Sequence, residues 1–272
     1  MNTNEMLDAL LSALRAESPT GADIPLPGDT AGKWHLLRTL MNIRPPVAIS
    51  PGLLEMQDRL LSARCTATGV TRLDALRSIQ LEFPGTRTPF ADRLVLWRGD
   101  IIALAVDAIV NAANEQLLGC FVPHHRCIDN AISSAAGMQL RLECAEIIRA
   151  QGHSEPTGQA RLTRGYNLPA RYVLHTVGPI VTDQPTEAHD GQLASCYRAC
   201  LSLAARQGDI SSVAFCCIST GEFRFPRGRA AEIAVQTMCD WMKHSDGGID
   251  KVVFNVFTLE DHDVYAGLFR AS

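Results

Sequence analysis

The chain has 272 residues, of which 46% are hydrophobic and 20% are charged, a balance typical of a globular protein with a packed core. Its formal net charge of −4 offers no basic surface for a polyanion, so we expect no nucleic-acid polymer as its main partner. No apolar run reaches the roughly 18 residues that cross a membrane, and the N-terminus carries acids where a signal peptide is basic. We therefore expect a cytoplasmic protein without a membrane partner.

The nine cysteines are an odd set without the spacing of a disulfide framework. Most are expected to be small core residues of a protein in a reducing compartment. Cys216 and Cys217 are adjacent in an apolar run, so in a strand their side chains point to opposite faces and cannot share one ion.

The first 90 residues are predicted to form an all-helical extension. Apolar residues recur there at three- and four-residue steps, and proline-rich breaks separate the segments. The predicted helices are 4–16, 30–43, 51–64 and 71–82. Because each has an apolar face that needs burial, we expect the extension to pack on the following domain.

From about Arg93 the pattern changes to short β-branched and apolar runs bounded by glycine, aspartate, proline or charge. The five predicted strands are LVLWRGDI, DAIVNAA, ARYVLHTV, SVAFCCIS and KVVFNVF. The helices predicted between them are 128–150, 190–207 and 228–245. Strands that alternate with helices of this length predict an α/β sandwich around a largely parallel sheet.

Polar residues follow several of these strands, at the edge where ligands bind in such sheets. Asp100 could accept hydrogen bonds from an adenine amino group, or it could be an ordinary turn residue or helix cap. The run Val110-Asn111-Ala112-Ala113-Asn114 ends a strand and contains two amide side chains separated by two alanines. The backbone N–H groups of residues 219–223 could form a nest for a diphosphate, or only a strand-to-helix turn.

Taken in order from about residue 93 to 257, these motifs resemble the macrodomain family. The matching segments are Asp100, the Asn-Ala-Ala-Asn run, Thr157-Gly158-Gln159-Ala160, Gly165-Tyr166-Asn167-Leu168-Pro169, His175-Thr176-Val177-Gly178-Pro179 and Ser219-Thr220-Gly221-Glu222-Phe223. The resemblance implies a three-layer α/β/α macrodomain with a mixed, largely parallel sheet over residues 91–272. It also implies binding of ADP-ribose.

One loop departs from the pattern of many hydrolytic macrodomains, in which glycines follow the Asn-Ala-Ala-Asn segment. Here Cys120, His125 and Cys127 form a C-x4-H-x-C arrangement that looks like the zinc-containing branch of the family. The resemblance implies that these three residues hold Zn²⁺, with the fourth tetrahedral position open as in catalytic sites. The alternatives are buried thiols without metal, or His124 as the ligand in place of His125.

The resemblance also implies which residues approach the substrate. Asn114 and Asp129 are expected to be catalytic beside the distal ribose, although Asp129 could simply be a first-turn acid that faces a helix dipole. His175 lies within an apolar strand and is predicted to be a core histidine. The residues expected to contact substrate are Asp100, Ile101, Asn114, Cys127, Ile128, Asp129, Asn130, Ser219, Thr220, Gly221, Glu222 and Phe223.

The implied activity is zinc-dependent hydrolysis that removes ADP-ribose from mono-ADP-ribosylated protein side chains, at the anomeric carbon or its ester. An ADP-ribosylated protein would be the substrate, and a sirtuin-type ADP-ribosyltransferase would act in the same pathway. The alternative is a non-catalytic ADP-ribose-binding module with a structural zinc, because a fold does not determine its function.

Overall fold

The structure is a computed structural model that describes residues 2–17, 24–245 and 247–271. Its helices are α1 (Thr3–Glu17), α2 (Thr30–Ile43), α3 (Pro51–Thr68), α4 (Ile79–Glu82), α5 (Ile128–Ala136), α6 (Met138–Gln151), α7 (Glu187–Gln207), α8 (Arg227–His244) and α9 (Leu259–Ala271). Its strands are β1 (Thr71–Arg72), β2 (Leu94–Arg98), β3 (Leu104–Ala105), β4 (Ala108–Ala112), β5 (Ala160–Arg164), β6 (Tyr172–Thr176), β7 (Ser212–Phe215) and β8 (Lys251–Val256). Within these ranges no helix has both the length and the apolar character needed to cross a membrane.

The described chain is organised around a six-stranded sheet with the order β2-β8-β7-β4-β6-β5. Every neighbouring pair in it is parallel except β5 and β6, which are antiparallel. Helices α7 and α8 pack on each other and α5 packs on α6 and β4, so that helical layers cover a mixed, largely parallel sheet. This is the three-layer α/β/α architecture with a mixed, largely parallel sheet that the resemblance implied.

The N-terminal helices have an apolar core of their own. Leu7, Leu10 and Leu11 of α1 are fully buried, as are Leu37 of α2 and Leu60 of α3. These are the residues whose helical spacing predicted one buried face for each segment. Met138, at the start of α6, joins the same cluster, so the extension packs on the sheet domain through α5 and α6.

The predicted helix at 71–82 is wrong. Residues 71–72 instead pair with 104–105 as a short parallel two-stranded sheet, and a 3₁₀ turn at 73–75 precedes the four-residue α4. Ile79 and Phe83 are buried in the core of the large sheet rather than in that of the extension. Long-range pairing therefore replaced the local helical pattern in this segment.

The predicted helix at 128–150 is interrupted at Gly137, which has a φ of 103°. A Cβ at this position would lie 2.6 Å from Nε2 of Gln57, whose Oε1 accepts a hydrogen bond from the backbone of Met138. Docking of α3 and the left-handed glycine thus divide the segment into α5 and α6. The sequence patterns also missed β5, an edge strand whose polar residues alternate weakly.

Candidate active site

Parallel strands β4, β7 and β8 end at one edge of the sheet, where a cavity of about 570 Å³ opens. Five segments line it: the end of β4 with the following loop, the start of α5, the loop after β7, the start of α8, and the end of β8 with the start of α9. This is the edge at which ligands bind in open α/β sheets.

The loop of residues 120–127, here called the Cys-His loop, forms one wall of this cavity. The ligand atoms of Cys120, His125 and Cys127 all lie within 4.8 Å of one another, and each side chain is half-buried. The Cys120 Sγ is 3.6 Å from Nδ1 of His125. The structure thus brings together the three residues that the sequence singled out.

The two adjacent histidines of this loop face different surroundings. His125 points Nδ1 at Cys120, and its Nε2 lies 3.5 Å from the Glu222 carboxylate. His124 instead stacks on the ring of His35, and its Nε2 is 2.8 Å from the hydroxyl of Thr39 in α2. The geometry therefore favours His125 over His124 as the third member of the cluster.

Cys127 lies at the junction between the Cys-His loop and α5, where its Sγ accepts a hydrogen bond from the backbone of Asn130. Burial raises the pKa of the Cys127 thiol to about 12, and the nearby Cys120 and Asp129 add to the rise. Because a metal ligand is a thiolate, binding of a cation at this sulfur would release a proton.

Asp129 lies in the first turn of α5 and is only 6% exposed. Its Oδ2 is 3.4 Å from the side-chain nitrogen of Asn114, and its Oδ1 accepts a hydrogen bond of 2.8 Å from Asn111. Burial raises the pKa of Asp129 to about 6, against the opposing effects of the Asn111 hydrogen bond and the Arg141 charge. The two predicted catalytic side chains therefore meet on the cavity wall.

Asn111 was not predicted as a site residue, although it belongs to the Asn-Ala-Ala-Asn run. Its amide nitrogen donates to Asp129 and also lies 3.2 Å from Nδ1 of His175, which must be the acceptor. The Nε2–H of His175 then donates to Thr163 at 2.9 Å. Burial lowers the pKa of His175 to about 4, so it is the neutral core histidine that the sequence predicted.

The loop of residues 219–223, here called the glycine loop, follows β7 and lines the same cavity. Ser219 has a φ of 64°, and its buried hydroxyl has no partner among the described residues. Within the described part of the chain, the backbone N–H groups of Gly221, Glu222 and Phe223 donate to no protein acceptor. Free donors on a concave turn are suited to an anion such as a diphosphate.

Three residues that were expected to contact substrate lie outside this cavity. Asp100 caps the 3₁₀ turn at 101–103 through Ile102 N and lines a neighbouring cavity of about 260 Å³ against the extension. Ile101 is buried in the core of the sheet domain. Asn130 is fully buried, and its side chain bonds to α2 and to the Cys-His loop.

The sequence reasoning missed the end of β8 and the start of α9. Asn255, Phe257, Thr258 and Asp261 line the cavity, and Arg227 joins them from the start of α8. The sequence signal that could have identified these residues was the strand KVVFNVF, because its carboxyl end lies at the same edge of the sheet as those of β4 and β7.

Comparison with known proteins agrees with this architecture. Residues 110–234 match the Macro domain family. A protein from Treponema medium named protein-ADP-ribose hydrolase is 47% identical over 97% of this chain and 98% of its own length. Another of the same name from Staphylococcus aureus strain MRSA252 is 44% identical over 97% of this chain and 95% of its own length.

Solved structures show the same likeness. A crystal structure of a Trypanosoma brucei macrodomain in complex with ADP-ribose is 32% identical with a TM-score of 0.64, and the match covers 85% of this chain and 94% of that one. An Oceanobacillus iheyensis macrodomain with ADP is 37% identical with a TM-score of 0.58, covering 65% of this chain and 90% of that one. Because the likeness extends over nearly the whole chain and includes the sheet that carries the cavity, the chain belongs to the macro domain family.

Proposed function

We propose that this protein is a zinc-dependent hydrolase that removes ADP-ribose from mono-ADP-ribosylated protein side chains. One observation carries the proposal: the cluster of Cys120, His125 and Cys127 lines the same cavity as the pair Asn114 and Asp129. The names of the relatives from Treponema medium and Staphylococcus aureus support the hydrolase activity.

The cluster fits zinc in its donor atoms and its dimensions. Zn–S and Zn–N bonds of about 2.3 and 2.0 Å place two ligands of a tetrahedral site roughly 3.5 Å apart. The 3.6 Å between Cys120 Sγ and His125 Nδ1 agrees with this spacing. Glu222, beside His125 Nε2, is placed to hold the imidazole in the orientation that directs Nδ1 at the metal.

A zinc ion would be held by Cys120, His125 and Cys127, and it would supply the Lewis acidity that activates a water or a ribose oxygen. Asp129 would accept the proton of the attacking water, and its raised pKa of about 6 places the carboxylate near neutral pH, where a general base is efficient. Asn114 would orient the water or the ribose hydroxyl. If the water attacks the anomeric carbon, the bond from that carbon to the acceptor oxygen breaks and the acceptor leaves with the proton held by Asp129. If it attacks the ester carbonyl, the acyl–oxygen bond breaks and the ribose hydroxyl takes that proton.

The remaining cavity wall would bind the rest of ADP-ribose. The unpaired N–H groups of the glycine loop would hold the diphosphate. Phe223 and Phe257 offer aromatic surface for the ribose or the adenine. Asp100 lines the neighbouring cavity, so its contact with adenine stays a prediction, which the affinity of Asp100→Ala for ADP-ribose would decide.

We also propose a cytoplasmic location and a pathway shared with a sirtuin-type ADP-ribosyltransferase. All nine cysteines are free, as in a reducing compartment. The transferase partner rests on the resemblance to the zinc-containing branch alone.

The test is release of ADP-ribose from a mono-ADP-ribosylated acceptor protein by the wild type, the chelator-treated protein, Asn114→Ala and Asp129→Ala. We expect each change to lower the rate by roughly 10²- to 10⁴-fold, because each removes a positioned catalytic group. Gln116→Ala is the matched control, since this exposed amide bonds to Ser154.

Two results would contradict the proposal, with circular dichroism checking the fold of each sample. Full activity of the folded, metal-free protein would make the zinc structural. Binding of free ADP-ribose with no release by any form would indicate a binding module.

A further inference from the structure

One edge of α2, in the N-terminal extension, lies directly against the Cys-His loop. Its polar side chains there bond to the loop or to α5, which follows it. The extension is therefore attached to the cavity wall by hydrogen bonds as well as by its apolar core.

Asn42, in the last turn of α2, makes the most contacts across this boundary. It is 1% exposed. Its Oδ1 accepts hydrogen bonds from the backbone N–H of His124 at 3.2 Å and from the side chain of Asn130 at 3.1 Å. Its Nδ2 donates to the hydroxyl of Ser134 at 2.9 Å. One buried amide thus connects the Cys-His loop to α5.

Asn130 extends this connection to the other half of the loop. Its Nδ2 donates to the carbonyl of Val122 at 2.9 Å, and its Oδ1 accepts from Arg38 of α2 at 2.7 Å. Its backbone N–H donates to the sulfur of Cys127. Two backbone groups between Cys120 and Cys127, the Val122 carbonyl and the His124 N–H, are therefore held by two buried asparagines.

His124 needs such support, because it has a φ of 55°, a conformation that costs free energy in a residue other than glycine. Its backbone N–H is fixed by Asn42, and its ring lies against Thr39 and His35. Fixing this residue also fixes the direction of its neighbour His125, which belongs to the metal cluster.

We propose that Asn42 is a positioning residue for the metal centre, holding the Cys-His loop in the conformation that brings Cys120, His125 and Cys127 together. The inference rests on the proposed zinc site. Without Asn42, the His124 N–H and the Asn130 side chain lose their buried acceptor, and the loop no longer has one fixed conformation. The three ligands must then be reassembled when zinc binds, which lowers the affinity.

The experiment measures the dissociation constant for zinc alone, by competition with a chromophoric chelator, for the wild type and Asn42→Ala. We expect the constant to rise by roughly 10- to 100-fold, as when an outer-shell partner of a metal ligand is lost. The matched control is Gln57→Ala. Gln57 is an equally buried amide of the extension, but it bonds to Met138, Gln139 and Asp58 and not to the loop.

A second variant covers the case in which Asn42→Ala does not fold. Thr39→Val keeps the branched shape of the side chain and removes the two bonds of its hydroxyl, the one to His124 and the one donated to the carbonyl of His35 in the same helix. We expect a smaller rise of the zinc dissociation constant in this variant.

Wild-type zinc affinity in folded Asn42→Ala, or in Thr39→Val if the former does not fold, would overturn the inference. An equal loss in Gln57→Ala would do so as well, because the effect would then be general destabilisation. Cys120→Ala distinguishes failure of the positioning role of Asn42 from failure of the proposed zinc site. If Cys120→Ala binds zinc like the wild type, the proposed zinc site is wrong. If it loses zinc while Asn42→Ala does not, only the positioning role fails.

Discussion

The Cys-His loop and the glycine loop line the same cavity, yet they are held in different ways. The glycine loop makes local bonds, such as Phe225 N to Ser219 O and Arg224 N to Gly221 O, and one distant backbone bond, from Val181 N to Phe223 O. The Cys-His loop depends on α2, with Asn42 and His124 separated by 82 positions in the sequence. One wall of the site is thus held mainly by bonds within its own segment, and the other mainly by bonds to a distant helix.

This difference shows what a motif can encode. A short motif is enough to form a turn whose hydrogen bonds close within a few residues. A loop that relies on another element forms only after the two segments meet, so the same motif without that element would lack its conformation. The extension is therefore part of the Cys-His loop's structure and not an addition to it.

The largest expected effect comes from Arg141, which joins the base of the Cys-His loop to the extension. Its guanidinium donates to the carbonyl of Leu118 and to the carbonyls of Met41, Asn42 and Arg44. Arg141→Met should lower the free energy of unfolding by about 3–5 kcal/mol, because these buried acceptors and Asp129 lose their cation. Urea denaturation measures the change.

The control is Arg72→Met, whose exposed ion pair with Asp74 should contribute less than about 1 kcal/mol. Equal losses in the two variants would mean that the long-range attachment of the Cys-His loop adds no stability. The comparison between the two loops would then be wrong.

A second prediction concerns Asp129, which follows the Cys-His loop. Its folded-state pKa of about 6 lies above the ordinary 3.8, so the fold favours the protonated form. The folding free energy lost by ionising Asp129 is zero below pH 3.8, where the carboxyl is protonated in both states. It grows between pH 3.8 and 6 and is constant above pH 6. Asp129→Asn should therefore stabilise the metal-free protein at pH 7 by about 1–3 kcal/mol and give no gain near pH 3.

Asp107 is a control whose pKa is shifted in the opposite direction, so its substitution should have the opposite effect on the free energy of unfolding. Burial opposes ionisation of this carboxyl, but hydrogen bonds from Ser211, Arg171 and Ser212 outweigh it and lower the pKa to about 2. Asp107→Asn should then destabilise the protein at neutral pH. A stabilising effect of Asp107→Asn, or a destabilising one of Asp129→Asn at neutral pH, would contradict the conclusion that the ionised Asp129 on the cavity wall costs stability.

The smallest effect tests whether the two loops are independent. In Gly178→Ala the added Cβ would lie 2.0 Å from the Ser219 hydroxyl and 2.8 Å from Cγ2 of Ile218, so these side chains at the start of the glycine loop must move. We expect the dissociation constant for ADP-ribose to rise by at least about tenfold, or 1.4 kcal/mol, while zinc affinity is unchanged. Calorimetric titration of each ligand measures both constants.

Gly191→Ala is the matched control, because a Cβ there meets nothing within 4 Å. If Gly178→Ala weakens zinc as much as ADP-ribose, the loops are coupled. The contrast between local and distant support would then have no functional meaning.

The sequence predicted those parts of the fold that depend on local patterns. Apolar spacing identified α1, α2 and α3, and the β-branched runs identified five of the six strands of the large sheet. The helix predicted at 71–82 was wrong because residues 71–72 pair with 104–105, a contact that no local pattern contains. Edge strand β5 was missed because it lacks a continuous apolar run.

The site residues likewise divide into those that local sequence predicts and those that depend on tertiary contacts. The clustering of Cys120, His125 and Cys127 follows from short spacing in one loop. The role of Asn111 beneath Asp129 and that of Asn42 behind His124 depend on tertiary contacts between separate elements. The position of Asp100 after a strand allowed either a contact with adenine or a helix cap, and its contacts in the fold are those of a cap.

Two phenylalanines on the cavity wall are exposed to solvent. Phe257 is 73% exposed and Phe121 is 40% exposed, and both line the 570 Å³ cavity. A ligand that fills the cavity covers these rings and removes their apolar surface from water. Binding should therefore lower the heat capacity of the protein–ligand system, so that the binding enthalpy becomes more favourable as temperature rises.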